Sequence, residues 1–554
     1  MAFASTPRVR KRRITHAEDI IADSDSDFSD YTDNESDSSD DDGINISSTL
    51  ISNISDDGNG SSNWQPHDGQ YIPLWCPQYS KRQGILFSLI DKHPVQYFYQ
   101  LFHEEAFEMI ADHTNNYALQ FLDGPIDFGK HSRYIKWQGT TTEEIKAYVG
   151  LQILMGVISK PKIEDYWALG DLDASPGFRS VMSRNRFQLL NTFIHFCDNE
   201  ERIPRGQAGY DPLYKISPLI TLLNPLARQS YIPHCQLSVD ETMRRFKGRI
   251  FFRQYMPNKP IRWGIKVWSL CECKTGYLLD YKVYTGKEHN PVDKDKGLGY
   301  NVVVGLLEDD FLNCGHHVYM DNFYSSPHPF DALQQLNTGA CGTVRVTRKH
   351  MPSSLKPANL KLKKGDDPVF MRKGNLLACT WQDTARVNFL SNIDGAGRSE
   401  KEIRHRHSLT GFRSIQKPNV AINYNASMGG VDLFDQKCAT HQYPHKVKKW
   451  YHAIYHFLKE AALVNAFILY QLDNPHSLLG AAAFRRKVAQ ALCSTLLSNP
   501  NAYKVLPVLN PRDDKPALDV DNVKMVKALT LPYAQCPATK NITLKKTLLA
   551  EVVK

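Results

Sequence analysis

The sequence predicts an α/β fold, a mixed sheet set between two helical stretches, and three observations carry that reading. Residues 233–337 switch to strand periodicity and read in the order β-β-β-α-β-α, which suits a mixed sheet. Residues 66–232 and 428–495 carry apolar positions at helical spacing instead. Two strand-like runs, Cys235–Val239 and His316–Met320, each lead straight into a carboxylate, Asp240 and Asp321. Delivering an acid to the end of a buried strand is a common way for such folds to place chemistry.

Taken in order, residues 1–65 read as disordered. Arg8-Val-Arg-Lys-Arg-Arg13 is a dense basic cluster, suited to nuclear import or to a phosphate-binding arm. Glu18–Asp42 then holds twelve acids, many serines and almost no apolar residues, too little to offset the entropy of ordering. Hydroxyls three residues before an acid, such as Ser24 and Ser38, read as acid-directed phosphorylation sites. In the helical stretch, Pro94 opens a helix and a second runs from about Glu104 to Phe121. Thr140 or Thr141 with Glu143 or Glu144 forms a capping box before Ile145–Ile158. Ser183 caps Arg184–Phe196, and Leu213–Ser230 is a further helix.

The sheet region follows. Ile261–Cys271 and Tyr277–Tyr284 form a strand pair turned by Lys274-Thr-Gly276, residues 298–308 are helical, and Pro327–Leu336 is a helix after the second acid. Residues 344–418 hold sixteen Lys/Arg against six Asp/Glu and short β-like runs at Val369–Arg372, Leu376–Trp381 and Val387–Leu390. They read as a basic, strand-rich insertion, because so long a structureless loop is unusual within a domain. Met428-Gly-Gly-Val-Asp-Leu-Phe-Asp435 then opens a helix with Asp432 and Asp435 on one face. Trp450, Ile454, Phe457, Leu458 and Ala461 fall on one helical stripe, and four prolines from Pro500 to Pro516 read as a linker before a weakly ordered tail.

Composition narrows the function. The net charge is +8, but residues 1–57 carry five basic and fourteen acidic residues, which leaves +17 on the rest of the chain. A basic body points to a polyanion partner, most simply nucleic acid. No apolar run is long enough to span a bilayer, so no membrane association is expected. Eleven scattered cysteines without a CxxC pair suit reduced thiols in the nucleus or cytosol. There is no GxxxxGK[ST] loop and no GxSxG elbow, which removes the nucleoside-triphosphatase and serine-hydrolase readings.

Asp240, Asp321 and Asp432 remain as a candidate set. Carboxylates on two strands and a helix can hold two hard cations. Each taken alone has an ordinary structural reading as a turn or cap. The basic residues Arg245, Lys247, Arg253, Lys259 and Lys266 are candidate phosphate contacts beside them.

Several long motifs occur together in order: Val239-Asp-Glu-Thr-Met, Phe246-Lys-Gly-Arg, Phe252-Arg-Gln-Tyr-Met-Pro-Asn-Lys259, Trp263-Gly-Ile-Lys266, Asp321-Asn-Phe-Tyr-Ser-Ser326 and Met428-Gly-Gly-Val-Asp432, with Met182-Ser-Arg-Asn-Arg-Phe187 earlier. Over roughly residues 85–480 they resemble the piggyBac-family transposases. The resemblance implies a ribonuclease H-like catalytic domain with a β-rich insertion, flanked by a split helical dimerisation and DNA-binding domain. The corresponding boundaries are a tail at 1–65, helical halves at 66–232 and 446–499, catalytic segments at 233–343 and 419–445, the insertion at 344–418, and a tail at 500–554. It implies Asp240, Asp321 and Asp432 as a DDD-type triad, with Asp435 as a supporting metal ligand and two Mg²⁺ ions, replaceable by Mn²⁺. It further implies a homodimer in the nucleus acting on double-stranded DNA at transposon ends and TTAA targets. Trp450 matches an aromatic position used near the DNA, although its spacing equally suits helix packing. Family members usually end in a Cys/His-rich zinc module. Residues 494–554 hold Cys536 and no histidine, so no zinc is expected there. A transposon-derived nuclear DNA-binding protein without transposition activity is the competing expectation.

Overall fold

The computed structural model describes residues 64–67, 73, 75–125, 128–129, 131–170, 172–257, 259–286, 297–404 and 411–498. The basic cluster Arg8–Arg13, the acidic tail and the segment from Pro500 onward lie outside these residues. Residues 64–117 and 140–498 belong to one compact unit and residues 118–139 to another. In the smaller unit the rings of Phe121, Phe128 and Tyr134 pack with centroids 5.4–5.9 Å apart. Among the described residues no helix is long and apolar enough to cross a membrane.

Among the described residues, six α-helices lie before residue 231: α1 (Pro94–Tyr99), α2 (Glu104–Leu122), α3 (Thr142–Val157), α4 (Pro176–Val181), α5 (Arg184–Phe193) and α6 (Ser217–Ser230). The expected caps form. The Thr141 side chain accepts from the Glu144 N–H at 3.3 Å, and that of Ser183 accepts from Arg186 N–H at 3.3 Å. Arg186, which reads as a surface charge in the sequence, grips the buried Glu144 carboxylate with Nε at 2.7 Å. Glu144 also accepts from the Thr140 hydroxyl at 2.7 Å, so the acid expected to close a capping box is drawn instead into a buried ion pair joining α3 and α5.

The strands are β1 (Gln65–Pro66), β2 (Gly84–Ile85), β3 (Tyr231–Ile232), β4 (Gln236–Arg245), β5 (Gln254–Tyr255), β6 (Trp263–Glu272), β7 (Leu278–Val283), β8 (His317–Met320), β9 (Gly339–Thr343), β10 (Val369–Lys373), β11 (Leu376–Gln382), β12 (Arg386–Ser391), β13 (Arg398–Arg404) and β14 (Phe412–Pro418). Ten of them build one mixed sheet in the order β1-β10-β11-β12-β9-β8-β4-β6-β5, with β7 also on β6. Among the described residues only β4–β8 and β8–β9 are parallel. Helices α7 (Gly297–Phe311) and α8 (Pro327–Gln335) are the two crossovers expected around β8.

Residues 344–418 are strand-rich as expected, but their first three strands continue the central sheet through the β12–β9 pairing. The reason lies in burial. Cys379, Trp381 and Phe389 join Tyr319 and Cys341 in one core under α9 (Asn419–Ser427), so the apolar faces of these strands have a ready partner in the sheet itself. Only β13 and β14 form a separate, largely exposed ribbon.

Three helices close the described chain: α10 (Gly430–Thr440), α11 (Trp450–Asp473) and α12 (Ala481–Ser498). The sequence stripe on α11 understates its burial, since the helix is buried almost all round from Trp450 to Leu469. α3 and α12 approach closely at Gly150, where a side chain would meet Cys493 Sγ at 2.8 Å and Ala489 O at 2.9 Å. Cys493 Sγ donates in turn to Ala147 O at 3.7 Å.

Candidate active site

β4 does not stop at Asp240, contrary to the sequence reading. It runs on through Glu241, Thr242, Met243 and Arg244 to Arg245, paired all along with β6 up to Gly264. The basic residues that look like a strand end are accommodated within the strand. Arg244 lays its guanidinium over the Phe457 ring at 4.5 Å and donates to Asp435 Oδ1 at 3.0 Å. What ends at Asp240 is the parallel pairing with β8. The register matches Val239 with Met320, so the next residue on each chain is an aspartate, Asp240 on one and Asp321 on the other. The turn after Asp321 is fixed from both sides. Its Oδ1 accepts from Phe323 N–H at 2.7 Å, and Arg348 donates to the carbonyls of Asn322 and Phe323 at 3.1 and 2.9 Å.

The acids form a dense negative group. Burial, and then the neighbouring Glu241 carboxylate, pushes Asp240 well above the ordinary carboxylate range. Burial acts on Glu241 in the same direction, but Asp240 and the ammonium groups of Lys266 and Lys259 outweigh it and hold Glu241 low. Asp321 is raised by burial and then by Glu241, with part of the rise offset by the Phe323 N–H, Lys259 and Arg345. Lys259 supplies the nearest cation, with Nζ 3.6 Å from Asp240 Oδ2 and donating to Glu241 O at 3.2 Å. Burial alone would lower its pKa, yet Asp240, Glu241, Asp432 and Asp435 together raise it. That field ties the α10 acids to the strand acids through one ammonium group.

α10 brings the last two carboxylates. Asp432 lies exposed in its first turn. Asp435 faces β4, where Oδ2 accepts from the Thr242 hydroxyl at 3.0 Å and Oδ1 from Arg244 at 3.0 Å. Each of its oxygens therefore has a partner on β4, and these bonds hold α10 against the strand. The close approach of α10 depends on Gly430. A side chain there would meet the Ser238 hydroxyl, the Glu272 carbonyl at 2.9 Å and Cys273 Cα at 3.0 Å. Gly430→Ala is expected to destabilise the protein by about 1–3 kcal/mol through overpacking and to move Asp432 away from the strand acids. Urea unfolding together with a strand-cleavage assay checks this; unchanged stability and cleavage would show that α10 is free to shift.

The predicted DNA contacts divide. Arg245 and Lys247 are exposed. Arg253 is engaged inside its own loop, donating to the carbonyls of Lys247 and Gly248 at 3.1 and 3.0 Å and lying 4.6 Å over Trp263. Lys259 is held by the acids. Lys266 sits 3.8 Å from Glu241 and 5.2 Å over both Tyr284 and Phe323. Trp450 is 8% exposed and packs edge-on against Phe252. Sequence reasoning gave no role to Glu241, although it is 8% exposed in the heart of the group. It also missed Arg348, whose partners are backbone carbonyls and leave no trace in the sequence.

Among the described residues no three His, Cys, Asp or Glu side chains stand together as a ready metal cluster, and Lys259 provides the local counter-charge. The donors themselves fit a hard divalent ion, being carboxylate oxygens without thiolate or imidazole. Asp240 and Asp321 are adjacent in register, and Asp432 is exposed in the first turn of the neighbouring helix.

Residues 93–467 match the family model described as Transposase IS4. PiggyBac transposable element-derived proteins 2 and 3 of Homo sapiens are each 28% identical to the chain over 413 and 412 residues, 73% of this chain and 66% and 65% of theirs. The chain thus spans just under two thirds of the length of these curated relatives. A solved piggyBac transposase synaptic complex with hairpin DNA shares the fold, with a TM-score of 0.63 and 22% identity over 82% of this chain and 89% of that one.

Proposed function

Since the chain belongs to the Transposase IS4 family, and since its relatives include piggyBac-derived proteins, we propose that it is a piggyBac-like DNA transposase that cleaves and transfers DNA strands at TTAA sites. The observation that carries the reading is the register that sets Asp240 beside Asp321 at the end of the β4–β8 pairing, with α10 held against β4 to bring Asp432. In this reading the sheet and its crossovers are a ribonuclease H-like catalytic domain, and the helices before and after it are two halves of a dimerisation and DNA-binding domain.

Asp240, Asp321 and Asp432 would hold two Mg²⁺ ions, or Mn²⁺ in their place. Bound there, such ions activate a water or a 3′-hydroxyl and stabilise the leaving oxygen. The chain supplies the rest. The Phe323 N–H and Arg348 keep the Asp321 turn fixed, next in register to Asp240. Thr242 and Arg244 hold Asp435 and with it α10. Lys266 neutralises Glu241, which leaves Asp240 and Asp321 as the strand acids facing the substrate. Exposed Arg245 and Lys247 meet phosphates as the strand arrives. The protein acts as a homodimer on double-stranded DNA in the nucleus, with Arg8–Arg13 as the import signal.

Excision in cells tests the reading. A reporter carrying candidate transposon ends flanked by TTAA is expected to lose the insert and restore TTAA with the wild-type chain, and not with Asp321→Asn. Equal background with both would favour a transposon-derived DNA-binding protein without strand cleavage.

A further inference from the structure

The hairpin that carries Lys259 has an exposed aromatic stem. Tyr255 and Trp263 stand opposite each other in the β5–β6 register with ring centroids 4.6 Å apart, yet they are 40% and 42% exposed. Phe251 in the preceding turn is 44% exposed, while its neighbour Phe252 is buried against Trp450. A cross-strand aromatic pair can staple a hairpin, which accounts for the contact between the two rings. It does not account for three large aromatic rings each at least 40% exposed within one short stretch, and such clusters mark binding surfaces.

The surroundings select the ligand. From Thr242 to Cys271 the chain holds eight Lys/Arg and no Asp or Glu. Arg253 lies over Trp263 at 4.6 Å and Arg205 over Phe251 at 5.0 Å, and Arg245, Lys247 and Arg262 are exposed. Aromatic faces interleaved with cations suit unpaired nucleotides, whose bases stack while their phosphates meet the positive charges. A paired duplex keeps its bases inside and offers such rings nothing to stack on. The same hairpin reaches the acids. Its loop is closed by Met256 N–H to Arg262 O at 2.8 Å and Lys259 N–H to Met256 O at 3.2 Å, and Lys259 Nζ ends 3.6 Å from Asp240.

We infer that Tyr255 and Trp263, with Phe251 beside them, form a stacking platform for unpaired bases of the DNA strand adjoining the acid group. The inference rests on the proposed strand-cleavage function for its ligand, while the platform itself stands on the exposed rings and the charge around them.

The test measures binding by the full chain in EDTA, so that no cutting intervenes. Fluorescence anisotropy compares a blunt duplex with the same duplex bearing a single-stranded oligo-dT overhang. The wild type is expected to bind the overhang form roughly tenfold more tightly. Tyr255→Ala and Trp263→Ala, both at exposed positions, are expected to lose that gain and keep the blunt-duplex affinity, and Tyr255→Phe is expected to retain the gain. No overhang preference in the wild type, or its persistence in both alanine variants, overturns the inference. A change of oligomeric state in those variants by light scattering, with the overhang preference intact, assigns the rings to an interface between copies and equally overturns it. An overhang preference that depends on both rings, in a chain that fails the excision assay, would refute strand cleavage and leave the platform standing.

Discussion

Replacing Asp240, Asp321 or Asp432 by Asn is expected to abolish Mg²⁺-dependent strand cleavage while leaving the fold and duplex binding in place. The substitution keeps size and removes charge. Asp240 Oδ1 accepts from Glu241 N–H at 2.8 Å and Asp321 Oδ1 from Phe323 N–H at 2.7 Å; an amide oxygen can accept both, so neither turn loses its bond. Asp432 is exposed and costs the fold little. Relieving the crowding of Asp240 against Glu241 removes an unfavourable interaction, so thermal stability holds or rises. Activity responds the other way. Losing only an outer partner of a metal ligand costs about 10–100-fold, and losing the ligand itself costs more. Plasmid nicking in Mg²⁺, alongside thermal melting and anisotropy, separates these effects. Nicking that survives in all three variants removes the assignment.

The second large effect lies away from the acids. Arg485 on α12 and Glu460 on α11 are both 3% exposed and pair at 2.7 Å. Arg485 also donates to His441 O at 3.2 Å, just beyond the end of α10. Arg485→Leu leaves a carboxylate buried without a partner, at a cost of about 3–5 kcal/mol. Adding Glu460→Leu removes that stranded charge and is expected to recover most of the loss, because a buried ion pair and an apolar pair of similar volume differ little in stability. Urea denaturation of the two variants decides this. A single variant as stable as the wild type would mean that water reaches Glu460. Because His441 follows α10, the single variant is also expected to lower cleavage more than its fraction unfolded explains.

Local patterns were legible in the sequence and long-range partnerships were not. The Thr141 and Ser183 caps, the α7–β8–α8 crossovers and the strands at 369, 376 and 387 all follow from local residues acting on local backbone. Asp240 and Asp321 stood out because each ends an apolar run, and Asp432 because it follows Gly429-Gly430. The continuation of β4 past Asp240 was hidden because Arg244 belongs to a basic run suited to phosphates, and its partners Asp435 and Phe457 lie about two hundred positions later. For the same reason Lys259 and Lys266 read as phosphate contacts. A lysine's partner is set by the fold, and here acids and rings from other elements claim both side chains. A helix spacing of three put Asp435 on the face of Asp432, but nothing local shows that Thr242 and Arg244 on β4 are its partners.

The close pairing of α3 with α12 has a consequence for biosynthesis. Cys493 reaches back to Ala147 across 346 positions. At roughly 5–20 residues per second, a ribosome exposes α3 some 20–70 seconds before its partner appears. α3 is buried almost throughout, so over that interval an apolar helix waits without its cover while the acid-bearing sheet is completed beside it. A nascent chain stopped before Ala481 would carry all three aspartates and still lack the helix that shields α3. Such a chain would leave the apolar surface of α3 uncovered and open to chaperones or proteases.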